Sequence, residues 1–145
     1  MDEPIIRDAA PAELDVTTLY NILRLRVDVF VVEQECAYPE LDGRDLEPGA
    51  RHLWAESSGE IVATLRMLDD GAAVRIGRVA TAAGARSSGL AGRLMQRALE
   101  LAGDREVVLE AQSYLQGWYE RFGFVRVGEE YVEDGIPHVP MRRSA

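Results

Sequence analysis

ARSSGLAGRLMQRA, residues 85–98, opens on a glycine-bearing turn and runs into an amphipathic repeat. Leu90, Ala91, Leu94, Met95, Ala98, Leu99 and Ala102 share one helical face, so the stretch predicts a helix that Ser87 or Ser88 caps and Gly103 ends. The segment before it, AAVRIGRVAT (72–81), and the one after it, EVVLEAQ (106–112), read as strands. Strand, helix, strand is a βαβ unit, its strands parallel and its crossover right-handed. The turn therefore lies at a helix N-terminus. Unpaired amides and the positive end of the helix dipole favour an anion there, and glycine lets the backbone approach it.

Charge supports that reading. The chain carries a net charge of -9, yet from Gly71 to Leu99 it has no Asp or Glu and holds Arg75, Arg78, Arg86, Arg93 and Arg97. For Arg93 and Arg97, ordinary pairing with acids elsewhere in the fold is the alternative. All 16 basic residues are Arg, so the lysine-bearing phosphate loop G-x-x-x-x-G-K-[ST] is excluded, and G-x-G-x-x-G is absent. The residues read R-x-x-G-x-A-G: Arg86, Gly89, Ala91, Gly92.

Toward the N-terminus, Leu19, Ile22, Leu23, Arg26 and Phe30 predict a helix over 14–32. The next stretch, EQECAYPELDGRDLEPGA (33–50), is aperiodic, acidic and rich in Pro and Gly, a loop long enough to be functional or mobile. HLWAES (52–57) and EIVATLRML (60–68) form a hairpin about Ser58-Gly59, and Asp69-Asp70-Gly71 leads into the strand over 72–81. The simplest arrangement is an antiparallel meander, with His52 a structural residue at the head of an edge-like strand. Toward the C-terminus, LQGWYERF (115–122) reads as a short helix, FVRVGEEYV (124–132) as one strand, and HVPMR as a last strand after a turn at Asp134-Gly135.

With 145 residues and 47% hydrophobic composition, the chain suits a single domain over 1–145 with one core. No apolar run spans a membrane, and Met1-Asp2-Glu3 lacks a leader's basic and apolar regions, so the expected location is cytoplasmic. Cys36 stands alone and reads as a small hydrophobe in a reducing compartment. Two His and one Cys without ligand spacing argue against a metal, and scattered acids argue against nucleic acid. An exposed final strand makes a homodimer an option.

The R-x-x-G-x-A-G turn after a strand resembles the pyrophosphate loop of the GNAT superfamily of acyl-CoA-dependent N-acyltransferases, whose pattern is Q/R-x-x-G-x-G/A. In that family the second strand is followed by a polar residue, a short helix bearing a Tyr, and then G-F. Here Gln112, Tyr119, Gly123 and Phe124 stand in that order within QSYLQGWYERFGF. The loop VVEQECAYPELDGRD and the ending EDGIPHVPMRR resemble the ElaA-like branch, so the likeness spans the chain. Two positions depart from the pattern: Ala83 stands where Pro is usual, and Ala91 where the second Gly is usual. Neither removes a backbone donor.

The resemblance implies an α/β (α+β) fold, a mixed, mostly antiparallel twisted sheet with a central parallel pair flanked by helices. It implies acetyl-CoA as cosubstrate. Val79, Ala80 and Thr81 would pair with the pantetheine arm, Arg86, Ser87, Ser88, Gly89, Leu90, Ala91 and Gly92 would wrap the pyrophosphate, and Gln112 would touch the cofactor or else satisfy the strand end.

Amine attack on a thioester needs a proton route, donors for the developing oxyanion, and an acid for the thiolate. Tyr119 suits the last role, because a phenol of pKa about 10 can share a proton with a thiol of about 8.5; simple packing beside Trp118 and Phe122 is the alternative. The base is open among Glu110, Glu33, His138 and a chain of waters. Glu33, Gln34 and His138 are candidates for facing the acceptor. Glu33, Glu35, Glu40, Asp42 and Asp45 would form an acidic rim drawing in a cationic amine of a small molecule or peptide. A non-catalytic acyl-CoA-binding module, or a structural protein of the same fold, are the other classes.

Overall fold

The computed structural model describes residues 3–144. Eight strands are β1 (Ile5–Ala9), β2 (Arg51–Ser57), β3 (Glu60–Asp69), β4 (Ala73–Thr81), β5 (Glu106–Gln112), β6 (Val125–Arg126), β7 (Tyr131–Glu133) and β8 (Ile136–Arg143). Three helices are α1 (Val16–Val27), α2 (Leu90–Ala102) and α3 (Gln116–Glu120). The strands form one sheet in the order β1-β2-β3-β4-β5-β8-β6, with β7 also pairing β8. Only the β4–β5 pairing is parallel among the described residues. The expected mixed fold and its βαβ unit are what the chain adopts.

Alternation along β2 shows how the layers form. Leu53 and Ala55 point into the cluster holding Leu94, Met95 and Ala98 of α2, whereas Trp54 between them packs with Ile22 of α1. The two helices thus cover opposite faces, which is why the inner strands are buried on both sides. On β3 the same alternation sends Ala63, Leu65 and Met67 toward α2 and leaves Arg66 on the α1 side, buried against Asp42 and Asp45.

Several expectations need correction. β1 precedes the predicted elements and takes the edge, so His52 lies on an internal strand, fully buried, its Nε2–H donating to the Asp45 carbonyl at 2.9 Å. The first helix stays α-helical only to Val27 and continues as a π-helical turn, Asp28–Glu33. The stretch 124–132 splits into β6 and β7, which pair separately with β8; between them lies Gly128, so close to Pro140 that an added Cβ would stand 2.7 Å from its ring. The final strand is internal, paired with β5 on one side and with β6 and β7 on the other, so the argument for dimerisation through it falls. Gly89, not Ser87 or Ser88, is the N-cap of α2, in a left-handed conformation with φ 80°. The Ser88 hydroxyl instead donates to the Ala85 carbonyl.

Candidate active site

The parallel pair supplies the opening. β4 and β5 are in register only at Ala73–Glu106, Val74–Val107 and Arg75–Val108. Beyond that point β4 keeps its bonds to β3 as far as Thr81, and β5 keeps its bonds to β8 as far as Gln112. The strands therefore diverge, and their facing backbone edges are left without ladder partners. A bulge adds to the divergence: Thr64 faces Ala80 but Arg66 faces Gly77, so β4 carries one extra residue there.

A cavity of about 800 Å³ fills the divergence. Val79, Ala80, Thr81, Glu110, Gln112 and Tyr119 line it from the sheet and α3, Glu33 and Gln34 from the π-helical turn and the residue after it, and His138 from β8. A second cavity of about 460 Å³ lies at the N-terminus of α2, lined by Arg86, Ser87, Gly89, Leu90, Ala91 and Gly92 among others. Thr81, Arg86, Ala91 and Trp118 border both, so the two adjoin. No side chain caps α2, so its first amides stay free of protein acceptors at the cavity wall. Of the predicted residues, Ser88 borders neither cavity. The side chains of Ala80 and Leu90 are buried in the core, which leaves only their backbone to meet a ligand.

Tyr119 is 7% exposed, wedged edge-on against Trp118 at 4.9 Å and Phe124 at 6.1 Å. Burial pushes its phenol above the usual value, so it stays protonated and is able to donate a hydrogen bond. Glu110 accepts from the Tyr131 hydroxyl at 2.6 Å and from Arg75 at 3.4 Å. Burial, then the bond to Glu110, raises the Tyr131 hydroxyl in turn. His138 stacks on Tyr131 at 5.8 Å. Its Nδ1 lies 2.7 Å from the Ile136 carbonyl, which can only accept, so Nδ1 carries a proton. Gln112 reaches across the cavity to Gln34 at 3.5 Å.

The acidic rim is not a free rim. Glu40 and Asp45 are buried beneath it with Arg26 and Arg66, and Asp42 pairs with Arg66 at 2.9 Å and Arg78 at 3.4 Å. Glu33 is held by Arg86 at 2.6 Å, and Arg86 also donates to the Thr81 carbonyl at 3.1 Å. The hydrogen bond from Arg86 keeps the Glu33 carboxyl below its usual range. Arg97 pairs with Asp8 at 3.0 Å, the ordinary alternative, while Arg93 is exposed. Sequence reasoning missed Trp118 and Tyr114 as wall residues, and Arg26, Arg66 and Arg78 as partners of the loop acids. The arginines' partners lie 14 to 38 positions away, beyond any local pattern.

Residues 23–145 match the family model described as an acetyltransferase (GNAT) domain. A UPF0039 protein of Mycobacterium tuberculosis is 50% identical over 90% of this chain and 87% of its own length. ElaA of Escherichia coli is 43% identical, covering 95% of each chain. The crystal structure of an acyl-CoA N-acyltransferase from Pseudomonas aeruginosa superposes with a TM-score of 0.94 at 45% identity, over 98% of this chain and 100% of that one.

Proposed function

Because the chain belongs to the GNAT acetyltransferase family, whose members are acyl-CoA-dependent, we propose that it moves an acetyl group from acetyl-CoA to a primary amine of a small molecule or peptide. The observation that carries this reading is the pair of adjoining cavities, one at the uncapped amides of α2 and the other between the diverging strands. Together they fit a ligand with an anionic end and a long narrow arm.

In this reading the amides from Ser87 to Gly92 hold the diphosphate, with Leu90 contributing backbone alone. Arg86 leaves Glu33 to add its charge. Val79, Ala80 and Thr81 pair with the pantetheine amides through the unladdered edge of β4, and Gln112 closes the far side. A backbone N–H of the same edge stabilises negative charge on the thioester oxygen. The amine nitrogen bonds the acyl carbon as the C–S bond breaks. Glu110 or His138, directly or through water, takes the proton that the nitrogen loses, and the Tyr119 hydroxyl hydrogen-bonds the departing sulfur and supplies its proton. Gln34, and Glu33 once released from Arg86, face the acceptor.

Titration calorimetry with CoA and acetyl-CoA, followed by thiol release with a panel of primary amines, tests this. Saturable binding with amine-dependent release is expected. Binding without release from any amine leaves a non-catalytic module, and absence of binding removes both readings.

A further inference from the structure

We propose that Arg78 is a positioning residue that ties the acceptor wall to the bulge in β4, so that one side chain sets both surfaces between which the amine must approach. The inference rests on the acyl-transfer reading above. Arg78 has φ 54°, the only non-glycine residue in the left-handed region inside a strand among the described residues; Glu35, Ser58, Ser87 and Asp134 lie in turns. Such a conformation persists only where the surroundings over-determine it.

The surroundings here are all from the loop between α1 and β2. Arg78 Nε donates to the Glu40 carboxylate at 2.8 Å, Nη2 donates to the Glu40 carbonyl at 3.1 Å and to Asp42 at 3.4 Å, and the guanidinium stands 5.7 Å over the Tyr38 ring. Tyr38 also donates to Glu40. Glu40 is itself anchored from below by Arg26 at 2.7 Å, with side-chain exposures of 1% and 2%. Arg26, Arg66 and Arg78 balance Glu40, Asp42 and Asp45, so the cluster is electrically closed and gives the loop one defined seat. Arg78 and Asp42 are the members that reach the large cavity, where Tyr38 and Pro39 form its wall beside Val79 and Ala80. Loop and bulge are thereby one mechanical unit: the loop holds Arg78 in its unusual conformation, and Arg78 holds the loop against the strand.

The test pairs Arg78→Gly, which keeps the left-handed backbone free of penalty but deletes the guanidinium, with Arg78→Lys, which keeps a charge and a single contact. Calorimetry with CoA, thiol release with the best amine of the panel, and amide hydrogen exchange over residues 36–42 are measured on each. CoA affinity is expected to fall much less than turnover, by about five-fold at most, since the diphosphate amides of α2 keep their place and only the Val79–Thr81 edge beside Arg78 can shift. Acceptor kcat/KM is expected to fall about ten- to hundred-fold in Arg78→Gly, with Arg78→Lys between. Exchange over 36–42 should quicken while that of α2 holds. Unchanged acceptor kcat/KM in folded Arg78→Gly overturns the proposal, as does a loss of CoA affinity parallel to the loss of turnover. If Arg78→Gly does not fold, Arg78→Lys decides by the same split. Should the wild type release no thiol with any amine, the acyl-transfer reading has failed, and unaltered exchange over 36–42 overturns the tie between loop and bulge by itself.

Discussion

Gly92 is the third residue of α2 and lines the cavity at that helix's N-terminus. Its backbone is helical, so alanine there meets no conformational penalty, and a Cβ would stand 3.6 Å from the Phe122 ring, an ordinary contact. Gly92→Ala therefore narrows the unfolded ensemble at no steric cost and should stabilise the fold by about 0.5–1 kcal/mol. For a domain of this size that is a rise in Tm of about 1–4 °C. The same methyl projects into space the proposed diphosphate needs. Crowding of that kind costs about 1–2 kcal/mol, a loss of CoA affinity of roughly five- to thirty-fold. Stability and binding should thus move in opposite directions, read by thermal unfolding without ligand and by calorimetric titration with CoA. Gly89→Ala is the contrast: at φ 80° it has open space around it, and left-handed strain of about 1–2 kcal/mol should lower its Tm. A Gly92→Ala protein that binds CoA as wild type does would refute the placement of the anion at these amides, and one that melts below wild type would refute the account of a methyl fitting without strain.

Tyr119→Phe should keep CoA affinity and the fold, because the ring's packing on Trp118 and Phe124 is retained, while kcat falls. Unchanged kcat removes Tyr119 as the donor to sulfur. Glu33→Gln frees Arg86 from its ion pair and should tighten CoA binding, whereas Arg86→Ala should weaken it; calorimetry at low salt reads both, and equal effects in the same direction would contradict the competition. Stability should fall with acid in two stages. Burial keeps His52 below its usual 6.5, so the unfolded chain binds a proton the folded one refuses, and its contribution, present above about pH 6.5, is lost as pH drops. Asp42, which burial would raise, is brought to about 2 by Arg66, the Arg44 amide and Arg78; its contribution is present above its unfolded 3.8 and lost as pH falls from there toward 2. A Tm that stays flat between pH 7 and pH 5 would rule out the first stage.

What the chain encoded locally was read correctly from it. The period of α2, the hairpin about Ser58-Gly59 and the glycine turn before α2 depend on neighbours within a few positions, and side-chain spacing and backbone freedom act over that range. Gln112, Tyr119 and the Arg86–Gly92 turn were singled out through the family resemblance, and the fold brings them, Ser88 excepted, to the walls of the two cavities. β1 was hidden because its alternation runs against hydrophobic habit: Ile5 is 49% exposed, while Asp8 turns inward to Arg51 and Arg97. Tertiary structure alone decided the rest. It bound Glu40, Asp42 and Asp45 to Arg26, Arg66 and Arg78, turning three of the five expected rim acids into a neutral, largely buried cluster, and it placed β8 between β5 and the β6–β7 segment. The reason is one of range: a carboxylate's partner is settled by which surfaces the packed layers bring within hydrogen-bonding distance, and no spacing along the chain specifies that.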